Sequence, residues 1–434
     1  MALTGNDGAT IFALSTAGLP SAIAIVRLSG SKSGAALKTL AGRMPEPRRA
    51  SLAVLRDPAD GEPIDRALIL WFPGPDSATG EDVAEFHIHG SRAVAAKIME
   101  VLAAMPDVRA AEAGEFTRRA FLNGRMDLSA TEGLGDLLAA ETETQRRHAL
   151  AVAEGSLARR IVGWREQLLG AEARLEAVLN FSDEGDVDEG DELFALDLAR
   201  LVKYEIDEIL RAPPAERLRD GIRVVLAGPP NTGKSTLFNA LVAREAAIVS
   251  PVAGTTRDVI EAPVDIDGLA FLISDTAGLR ESGDEIEEIG VRRARSVSDS
   301  ADILLWLGDP DEAPDGDEVV TLHPKSDETG RLAKPEKAAL AVSARTGDGM
   351  EALRTILVER GKRLLPRDDQ LALNHRQRQA LRDAATVLES AAAGDWILLV
   401  ETLRQARMAL ERIGGQGGVE DMLDALFDRF CIGK

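Results

Sequence analysis

Short apolar runs alternate along the chain with long stretches of helical periodicity. Apolar positions recur at helical spacing in residues 131–180, for example Leu157, Ile161, Trp164 and Leu168. Residues 371–413 repeat this spacing and are rich in residues that favour helices. Proline is absent from 107–212 and from 367–434, whereas 1–106 and 213–366 contain all of it. Because proline breaks helix interiors, long helices are predicted only in the two proline-free stretches.

The two proline-containing stretches carry β-like runs instead. AIAIVRLSG (22–30) and RALILWFPG (66–74) stand between glycine and proline turns, which is typical of a small α+β domain. IRVVLAG (222–228), LAFLISD (269–275), ADILLWLG (301–308) and AALAVSA (338–344) are continuous apolar runs, typical of buried parallel strands in an α/β domain. We therefore predict a multidomain chain of α+β and α/β parts. Its segments are an α+β domain (1–119), an all-α helical domain in two parts (120–215 and 366–434), and an inserted domain with a mostly parallel sheet (216–365).

Composition and charge exclude several classes of protein. Of the 434 residues, 45% are hydrophobic and 28% charged, which argues against wholesale disorder. No apolar run is long enough for a membrane span, and the N-terminus lacks the pattern of a secretory signal. The single cysteine, Cys431, excludes an intrachain disulfide and fits a cytoplasmic protein. The net charge of −21 disfavours nonspecific binding of polyanions but leaves room for a local basic patch.

A phosphate-binding motif follows the run IRVVLA. Gly228-Pro-Pro-Asn231-Thr-Gly233-Lys234-Ser235 matches G-x-x-x-x-G-K-[ST] and precedes the helix-like STLFNALVA, as this motif requires. Its glycines let backbone N–H groups converge on phosphates at a helix N-terminus. Lys234 would bridge the β- and γ-phosphates, and Ser235 would hold Mg²⁺.

Downstream motifs indicate a nucleotide switch that reads guanine. Asp275-Thr-Ala-Gly278 ends an apolar run, where a carboxylate could reach Mg²⁺ through water. The TTRD sequence at 255–258, weak by itself, is placed where a switch threonine would complete the Mg²⁺ shell. Lys325-Ser-Asp327 offers a carboxylate for guanine N1 and N2, although the same sequence also suits a solvated turn. The segment 343–345 after the last strand could add a backbone contact to the guanine carbonyl.

With these motifs in this order, the chain resembles the MnmE (TrmE) family of bacterial tRNA-modification GTPases over nearly its whole length. The matching segments are GEDVAEFHIHG (80–90), GEFTRRAFLNGRMDL (114–128), GPPNTGKST (228–236), AAIVSPVAGTTRDV (246–259), DTAGLRESGDEIEEIG (275–290), SARTGDGM (343–350) and FCIGK (430–434).

The resemblance implies an architecture and a reaction. It implies an N-terminal domain that binds tetrahydrofolate and dimerises, a helical domain, and a Ras-like G domain inserted into it. It also implies work with the FAD-dependent partner MnmG, as a heterotetramer or larger complex, on the wobble uridine of tRNA. The product would carry an aminomethyl-type (carboxymethylaminomethyl) group at C5. The implied cofactors are GTP, Mg²⁺, K⁺ and a 5,10-methylene- or 5-formyl-tetrahydrofolate.

The resemblance also implies roles for individual residues. Glu287 would orient the attacking water, helped by Lys234 and by Thr256, a Mg²⁺ ligand beside Ser235. K⁺ would bind the Asn231 side chain and the backbone carbonyls of Ser250, Val252 and Thr255. The implied nucleotide-binding set is Asn231, Thr232, Gly233, Lys234, Ser235, Thr236, Ser250, Pro251, Val252, Ala253, Gly254, Thr255, Thr256, Asp275, Thr276, Ala277, Gly278, Lys325, Asp327, Ser343, Ala344 and Arg345.

For the folate, the resemblance implies a site at Arg27, Glu85, Arg125 and Lys434. Cys431 is either a reactive thiol beside the folate or a small packed residue. By its pattern alone, Glu287 also suits a solvated acidic helix.

Two departures from the family pattern stand out. The guanine motif N-K-x-D reads Pro324-Lys325-Ser326-Asp327 here, so the usual asparagine amide is missing, and the adjacent His323 is a candidate substitute. A G-R-G-G segment near the N-terminus is replaced by Gly18-Leu-Pro-Ser-Ala22. Both changes are compatible with a divergent active member or a partly degenerate one.

Two other functions compete with tRNA modification. A regulatory GTPase that assembles ribosomes or other RNA complexes would share the P-loop and switch motifs, but such proteins lack the head domain and FCIGK. A nucleotide-insensitive scaffold would explain Pro324 but not the retained Lys234 and Ser235.

Overall fold

The computed structural model describes residues 8–180, 189–244, 246–247, 260–275, 301–331, 333–415, 426–427, 430 and 433. The chain divides into two compact units. The first unit joins residues 1–135 to 411–434, and the second spans residues 136–410.

The first unit is built on a six-stranded sheet. Its strands, in chain order, are β1 (Thr10–Leu14), β2 (Ser21–Ser29), β3 (Ser51–Arg56), β4 (Pro63–Phe72), β5 (Val83–Gly90) and β6 (Val108–Ala110). The spatial order is β3-β4-β5-β2-β1-β6. Neighbouring strands are antiparallel except β1 and β6, which run parallel.

Helices cover one face of this sheet. Among the helices that begin in this unit are α1 (Ser33–Ala41), α2 (Arg92–Ala103), α3 (Glu115–Leu122) and α4 (Leu128–Ala139). Side chains of α1 and α2, such as Leu37 and Ile98, pack on Val26, Leu28 and Phe86 of the strands. Because alternate residues of a strand point to opposite faces, the period-2 runs place these residues in the core. The predicted α+β domain is confirmed.

The second unit contains the helices that the proline-free stretches predict. Within the described residues, the further helices are α5 (Glu143–Ala153), α6 (Ser156–Asn180), α7 (Glu189–Leu210), α8 (Glu216–Asp220), α9 (Lys234–Arg244), α10 (Met350–Leu364), α11 (His375–Glu389) and α12 (Trp396–Glu411). The prediction of long helices only in the proline-free stretches is wrong for α10, whose 15 residues fit between Pro335 and Pro366. Residues 131–180 thus hold parts of three helices. A capping box between Thr142 and Gln145 begins α5, and Gly155, with φ of 76°, separates α5 from α6.

Helices from the two proline-free stretches pack on each other. Helix α7 contacts both α6 and α11. Trp164 Nε1 of α6 donates a hydrogen bond to Glu205 Oε2 of α7 at 2.6 Å. Arg404 Nε of α12 donates to Glu172 Oε1 of α6 at 2.9 Å, and the Glu172 side chain is almost fully buried. The boundaries predicted above for the four segments stay predictions.

A seven-stranded sheet forms the centre of the inserted domain. Its strands are β7 (Ile222–Ala227), β8 (Ala246–Ala247), β9 (Ile260–Ile266), β10 (Leu269–Asp275), β11 (Ile303–Trp306), β12 (Val319–Pro324) and β13 (Leu340–Val342). The spatial order is β13-β12-β11-β7-β10-β9-β8. The first five strands in this order are parallel and the last two pair antiparallel, which confirms the mostly parallel sheet.

Strands β7, β10 and β11 are buried almost throughout because the chain covers both faces of the sheet. Helices α9 and α10 contribute Leu237, Phe238, Leu353 and Leu357 to its core. Within the described ranges, no helix is long and apolar enough to cross a membrane.

Candidate nucleotide site and N-terminal site

The phosphate-binding loop connects β7 to α9. Gly228 has φ of 137°, and a Cβ atom there would lie 3.0 Å from the Leu307 backbone carbon, so only glycine fits. Asn231 and Gly233 also have positive φ, at 60° and 100°. These conformations turn the loop back toward the N-terminus of α9, where Lys234 is the first helical residue.

Lys234 is held inside this loop. Its Nζ donates hydrogen bonds to the carbonyl oxygens of Gly228 and Pro229, each at 2.8 Å. The residue is buried, so its ammonium group is positioned by the loop rather than by solvent. Thr232 Oγ1 also donates to the Pro229 carbonyl at 2.9 Å, while Thr236 is exposed on α9.

Ser235 and Asp275 meet although 40 residues separate them. Strands β7 and β10 are parallel neighbours, with Leu226 opposite Asp275, so both strands deliver their carboxyl ends to one edge. Ser235 Oγ donates to Asp275 Oδ2 at 2.6 Å. Asp275 is only 2% exposed. A hydroxyl and a carboxylate at a phosphate-binding loop are the oxygen ligands that Mg²⁺ prefers.

The candidate base-recognition carboxylate is fixed on both of its oxygens. Ser343 Oγ donates to Asp327 Oδ1 at 2.6 Å, and Arg345 Nε lies 2.9 Å from Asp327 Oδ2. The hydrogen bond from Ser343, with a smaller contribution from Arg345, lowers the pKa of Asp327, so this carboxylate is charged at neutral pH. Thr346 N donates to Ser343 Oγ at 3.1 Å and thereby orients the serine. Ala344 is half-buried between Ser343 and Arg345.

Pro324 ends β12, opposite Val342 of β13. His323 does not replace the missing asparagine, because its Nε2 is hydrogen-bonded to the Arg331 carbonyl at 2.8 Å. Lys325, with φ of 57°, runs along the phosphate-binding loop instead. A Cβ atom on Gly233 would lie 3.7 Å from its Cε.

Several residues that the resemblance implies lie outside the described residues. They are Ser250, Pro251, Val252, Ala253, Gly254, Thr255, Thr256, Thr276, Ala277, Gly278, Glu287, Cys431 and Lys434.

Two of the residues expected to bind folate come together on adjacent strands. Arg27 of β2 is directly opposite Glu85 of β5, and its Nε donates to Glu85 Oε1 at 2.9 Å. His87 Nε2 lies 3.0 Å from the other carboxylate oxygen, Oε2. Arg125 follows α3 and its NH1 lies 3.7 Å from Asp76 Oδ1.

A buried ion-pair network joins residues to which the sequence motifs give no role. Arg119, almost completely buried, contacts Glu115 Oε1 at 3.0 Å and Glu81 Oε2 at 3.1 Å. Arg109 binds both oxygens of Glu115 at 2.8 Å, and Ser29 Oγ donates to Glu81 at 2.7 Å. The i, i+4 spacing of Glu115 and Arg119 was the available signal, but this spacing usually marks an exposed pair.

Two family models match the chain. The model described as GTP-binding protein TrmE N-terminus matches residues 10–125, and the MnmE helical domain matches residues 128–431. The tRNA modification GTPase MnmE of Sphingopyxis alaskensis is 55% identical, over 94% of this chain and 100% of its own length. The chain belongs to the MnmE family. The family resemblance seen in the motifs is therefore confirmed, and the chain is a GTP-hydrolysing enzyme.

Other MnmE proteins match over similar lengths. The tRNA modification GTPase MnmE of Rhizorhabdus wittichii is 53% identical, over 98% of this chain and 96% of that protein. The MnmE of Erythrobacter litoralis is 52% identical, over 98% of this chain and 100% of its own length.

Proposed function

We propose that this chain hydrolyses GTP as one component of a complex that modifies tRNA at C5 of wobble uridine 34. The added group is of the aminomethyl type (carboxymethylaminomethyl), its one-carbon unit comes from a tetrahydrofolate derivative, and the other component is the FAD-dependent MnmG. The observation that carries this proposal is the full-length match to proteins named tRNA modification GTPase.

The contacts at the phosphate-binding loop support binding of GTP with Mg²⁺. The Nζ of Lys234 already lies inside the loop, where phosphate oxygens would replace the two carbonyls as acceptors. Ser235 would hold Mg²⁺ directly, and Asp275 would contact it through water. The metal would supply positive charge to the β- and γ-phosphates. Thr256, as the switch ligand of Mg²⁺, and Glu287, which would orient the attacking water, complete the proposed machinery.

Asn231 supports the proposed K⁺ site. It lies on the loop in a left-handed conformation and is exposed, so its amide oxygen is free to face a cation beside the phosphates. The backbone carbonyls of Ser250, Val252 and Thr255 would complete the shell. A monovalent cation there supplies charge where other GTPases use an arginine finger.

The Arg27–Glu85 pair supports the folate site. A carboxylate accepts hydrogen bonds from the amino and N–H edge of a pterin, and cations pair with the carboxylates of the glutamate tail. Glu85 would take the first role, and Arg27, Arg125 and Lys434 the second. Cys431 stays a candidate for a reactive thiol beside the folate.

An exposed apolar sheet face supports the proposed homodimer. Leu52 is opposite Leu68, and Leu68 is opposite His87, so these side chains share the face that carries Arg27 and Glu85. Leu52, Leu68 and Ile23 are all exposed. An apolar face of this kind is typical of an interface between copies of a chain. Leu68→Glu should therefore give monomers in sedimentation equilibrium, whereas Leu398→Glu, at an exposed leucine of α12, should not.

The GTPase part of the proposal is tested by the cation dependence of hydrolysis. We expect faster turnover of GTP in KCl than in NaCl at equal ionic strength, and no turnover of ATP. Asn231→Ala should abolish the difference between the salts, while Lys337→Ala, at an exposed lysine of the same domain, should keep it. Equal rates in both salts for the unaltered chain would contradict the K⁺ site.

The modification part is tested in a bacterium that lacks its own member of this family. Expression of this chain should restore the modified wobble uridine in nucleosides from purified tRNA, and Lys234→Ala should not. The alternative outcome is that neither the unaltered chain nor Lys234→Ala changes the nucleosides. If the unaltered chain then restores the assembly of ribosomal subunits instead, the chain is an assembly GTPase.

A further inference from the structure

The inserted domain is attached to the helices at a compact joint. We define the joint as helix α5 with the two connections that lead into and out of the inserted domain, residues 211–221 and 365–374. The connections touch, because Ala215 N donates to the Leu373 carbonyl at 3.0 Å. Gln145 Nε2 of α5 donates to the Leu218 carbonyl at 3.0 Å, so α5 holds the first connection directly.

The joint lies at the start of both strands that carry the nucleotide site. The connection 211–221 continues into β7, which ends at the phosphate-binding loop. Helix α5 contacts β10, and Thr144 N donates to the Gly268 carbonyl, just before that strand, at 3.4 Å. Strand β10 ends at Asp275. A shift of α5 against these connections would therefore be passed along two strands toward the Ser235–Asp275 pair.

His148 of α5 is buried in the joint. It is only 5% exposed, and no group within the described ranges forms a hydrogen bond with its Nε2. Cavities of about 70 Å³ and about 60 Å³ adjoin the ring, and His148, Val152 and Ala372 line both. Each cavity has room for water, and a buried polar atom without a partner is costly unless its environment can change.

The charges around His148 are balanced and already engaged. Arg147 of α5 and Asp368 of the second connection line one cavity and pair with each other at 2.8 Å. Asp136 of α4 and Arg219 of α8 line the other cavity. Burial lowers the pKa of His148 and Arg147 lowers it further, whereas Asp368 and a hydrogen bond to the Pro366 backbone oppose this shift. The ring is therefore neutral in the closed joint at neutral pH.

We propose that His148 is a positioning residue whose neutral ring keeps the joint closed, and whose protonation loosens the attachment of the inserted domain to the helices. An imidazolium donates a hydrogen bond from Nε2, and no protein group among the described residues accepts one there in the closed joint. The direction of the pH effect follows from the linkage between proton binding and closure of the joint. An opened joint binds the proton more readily than the closed one, so closure is favoured above the ordinary histidine pKa of 6.5 and is weakened below it.

This inference rests on the proposed function only for its effect on GTP turnover, because the joint itself can be measured without nucleotide. We would place spin labels at cysteines substituted for Asp197 on α7 and Glu312 in the inserted domain, both exposed, with Cys431 changed to Ser. Pulsed electron resonance then reports the distance between the helices and the inserted domain. We expect a second distance to appear when the pH falls from about 8 to about 5.5, a range that spans histidine titration.

Matched variants assign this response to His148. His148→Asn keeps a neutral polar side chain and should show one distance at both pH values. His375→Asn, at an exposed histidine of the same unit, should behave like the unaltered chain. Glu141→Gln should also behave like the unaltered chain. This variant tests whether the nearby Glu141 carboxyl, whose pKa is raised by desolvation, causes the pH response instead. A single pH-independent distance in the unaltered chain, or an unchanged pH response in His148→Asn, would overturn the proposal.

A measurement on the unaltered chain covers the case in which His148→Asn does not fold. Amide hydrogen exchange in 211–221 and 365–374, corrected for the intrinsic pH dependence, should rise severalfold at the lower pH. Equal corrected rates would overturn the proposal. The acid side of the GTP turnover profile should also be shallower in His148→Asn. The unaltered chain could show the pH-dependent distance between the spin labels and yet not hydrolyse GTP. In that case the proposed function is wrong, and the proposal about the joint still holds.

Discussion

Replacing Arg119 by methionine should destabilise the first unit strongly. Methionine fills a similar space without charge, and it leaves the buried carboxylate of Glu115 and the partly buried one of Glu81 with one partner fewer each. Breaking a buried ion pair costs about 3–5 kcal/mol. Glu115 keeps its two hydrogen bonds from Arg109, and Glu81 is partly exposed and keeps Ser29. We therefore expect the lower end of this range, about 3 kcal/mol.

The assay is urea unfolding followed by the fluorescence of Trp71. This is the only tryptophan of the first unit, so changing the other three to phenylalanine isolates its signal. With a urea dependence of about 1–3 kcal/mol per molar, the midpoint should fall by roughly 1–3 M. Arg49→Ala, which removes an exposed pair with Glu46, is the control and should cost at most about 1 kcal/mol. Equal midpoints for the two variants would show that the buried Arg119 network stabilises the first unit no more than the exposed Arg49–Glu46 pair does.

The same network predicts a pH dependence. Burial by itself would raise the pKa of Glu115, but hydrogen bonds from Arg109, the Glu112 backbone and Arg119 outweigh it and lower the pKa. The unfolded chain therefore takes up the proton first as the pH falls. The stabilisation from Glu115 is complete above its ordinary value of 4.5 and is lost as the pH drops through the lowered one. Midpoints measured from pH 7 downward should show this loss, with a smaller slope in Arg119→Met.

Three further substitutions test individual contacts. Pro324→Asn should tighten binding of GDP about 2- to 10-fold, the range for one regained hydrogen bond, in a fluorescent-nucleotide titration. An unchanged affinity would mean that the base loop is already held adequately. Arg345→Ala should also tighten GDP binding, because it frees an acceptor oxygen of Asp327. The gain should be largest at low salt, where the ion pair is screened least. Weaker binding would show that the Arg345 side chain contacts the nucleotide instead. Glu172→Gln should lower the thermal midpoint of the helices, since Arg404 loses a buried charged partner; the exposed Asp197→Asn should not.

The strands of the inserted domain were the most predictable part of the fold. The runs predicted at 222–228 and 269–275 are the strands Ile222–Ala227 and Leu269–Asp275. Strands covered on both faces must be apolar throughout, so their sequences mark them unambiguously. The divisions within 131–180 were harder to predict, because the break at Gly155 interrupts a region with no proline and a continuous helical pattern.

The candidate site was predictable where one motif contains its geometry. A phosphate-binding loop between a strand and a helix places Lys234 and Ser235 by local chain direction alone. The contact of Arg345 with Asp327 depends instead on the spacing of β12 and β13, which no local pattern encodes. The burial of His148 depends on residues 218–219 and 366–372, far along the chain, so its place at the joint could not be inferred from its own helix.

The hydrogen bond between Ala215 and Leu373 has a consequence for how such a protein can arise. The two ends of the inserted domain meet there, so the insertion joins the helical part at one place, where α5 also packs on β10. A complete folded module could thus enter an ancestral helical protein in a single genetic event and leave its packing undisturbed. The same closeness allows the module to be exchanged for a homologous one, or replaced by a few flexible residues, without rebuilding its host.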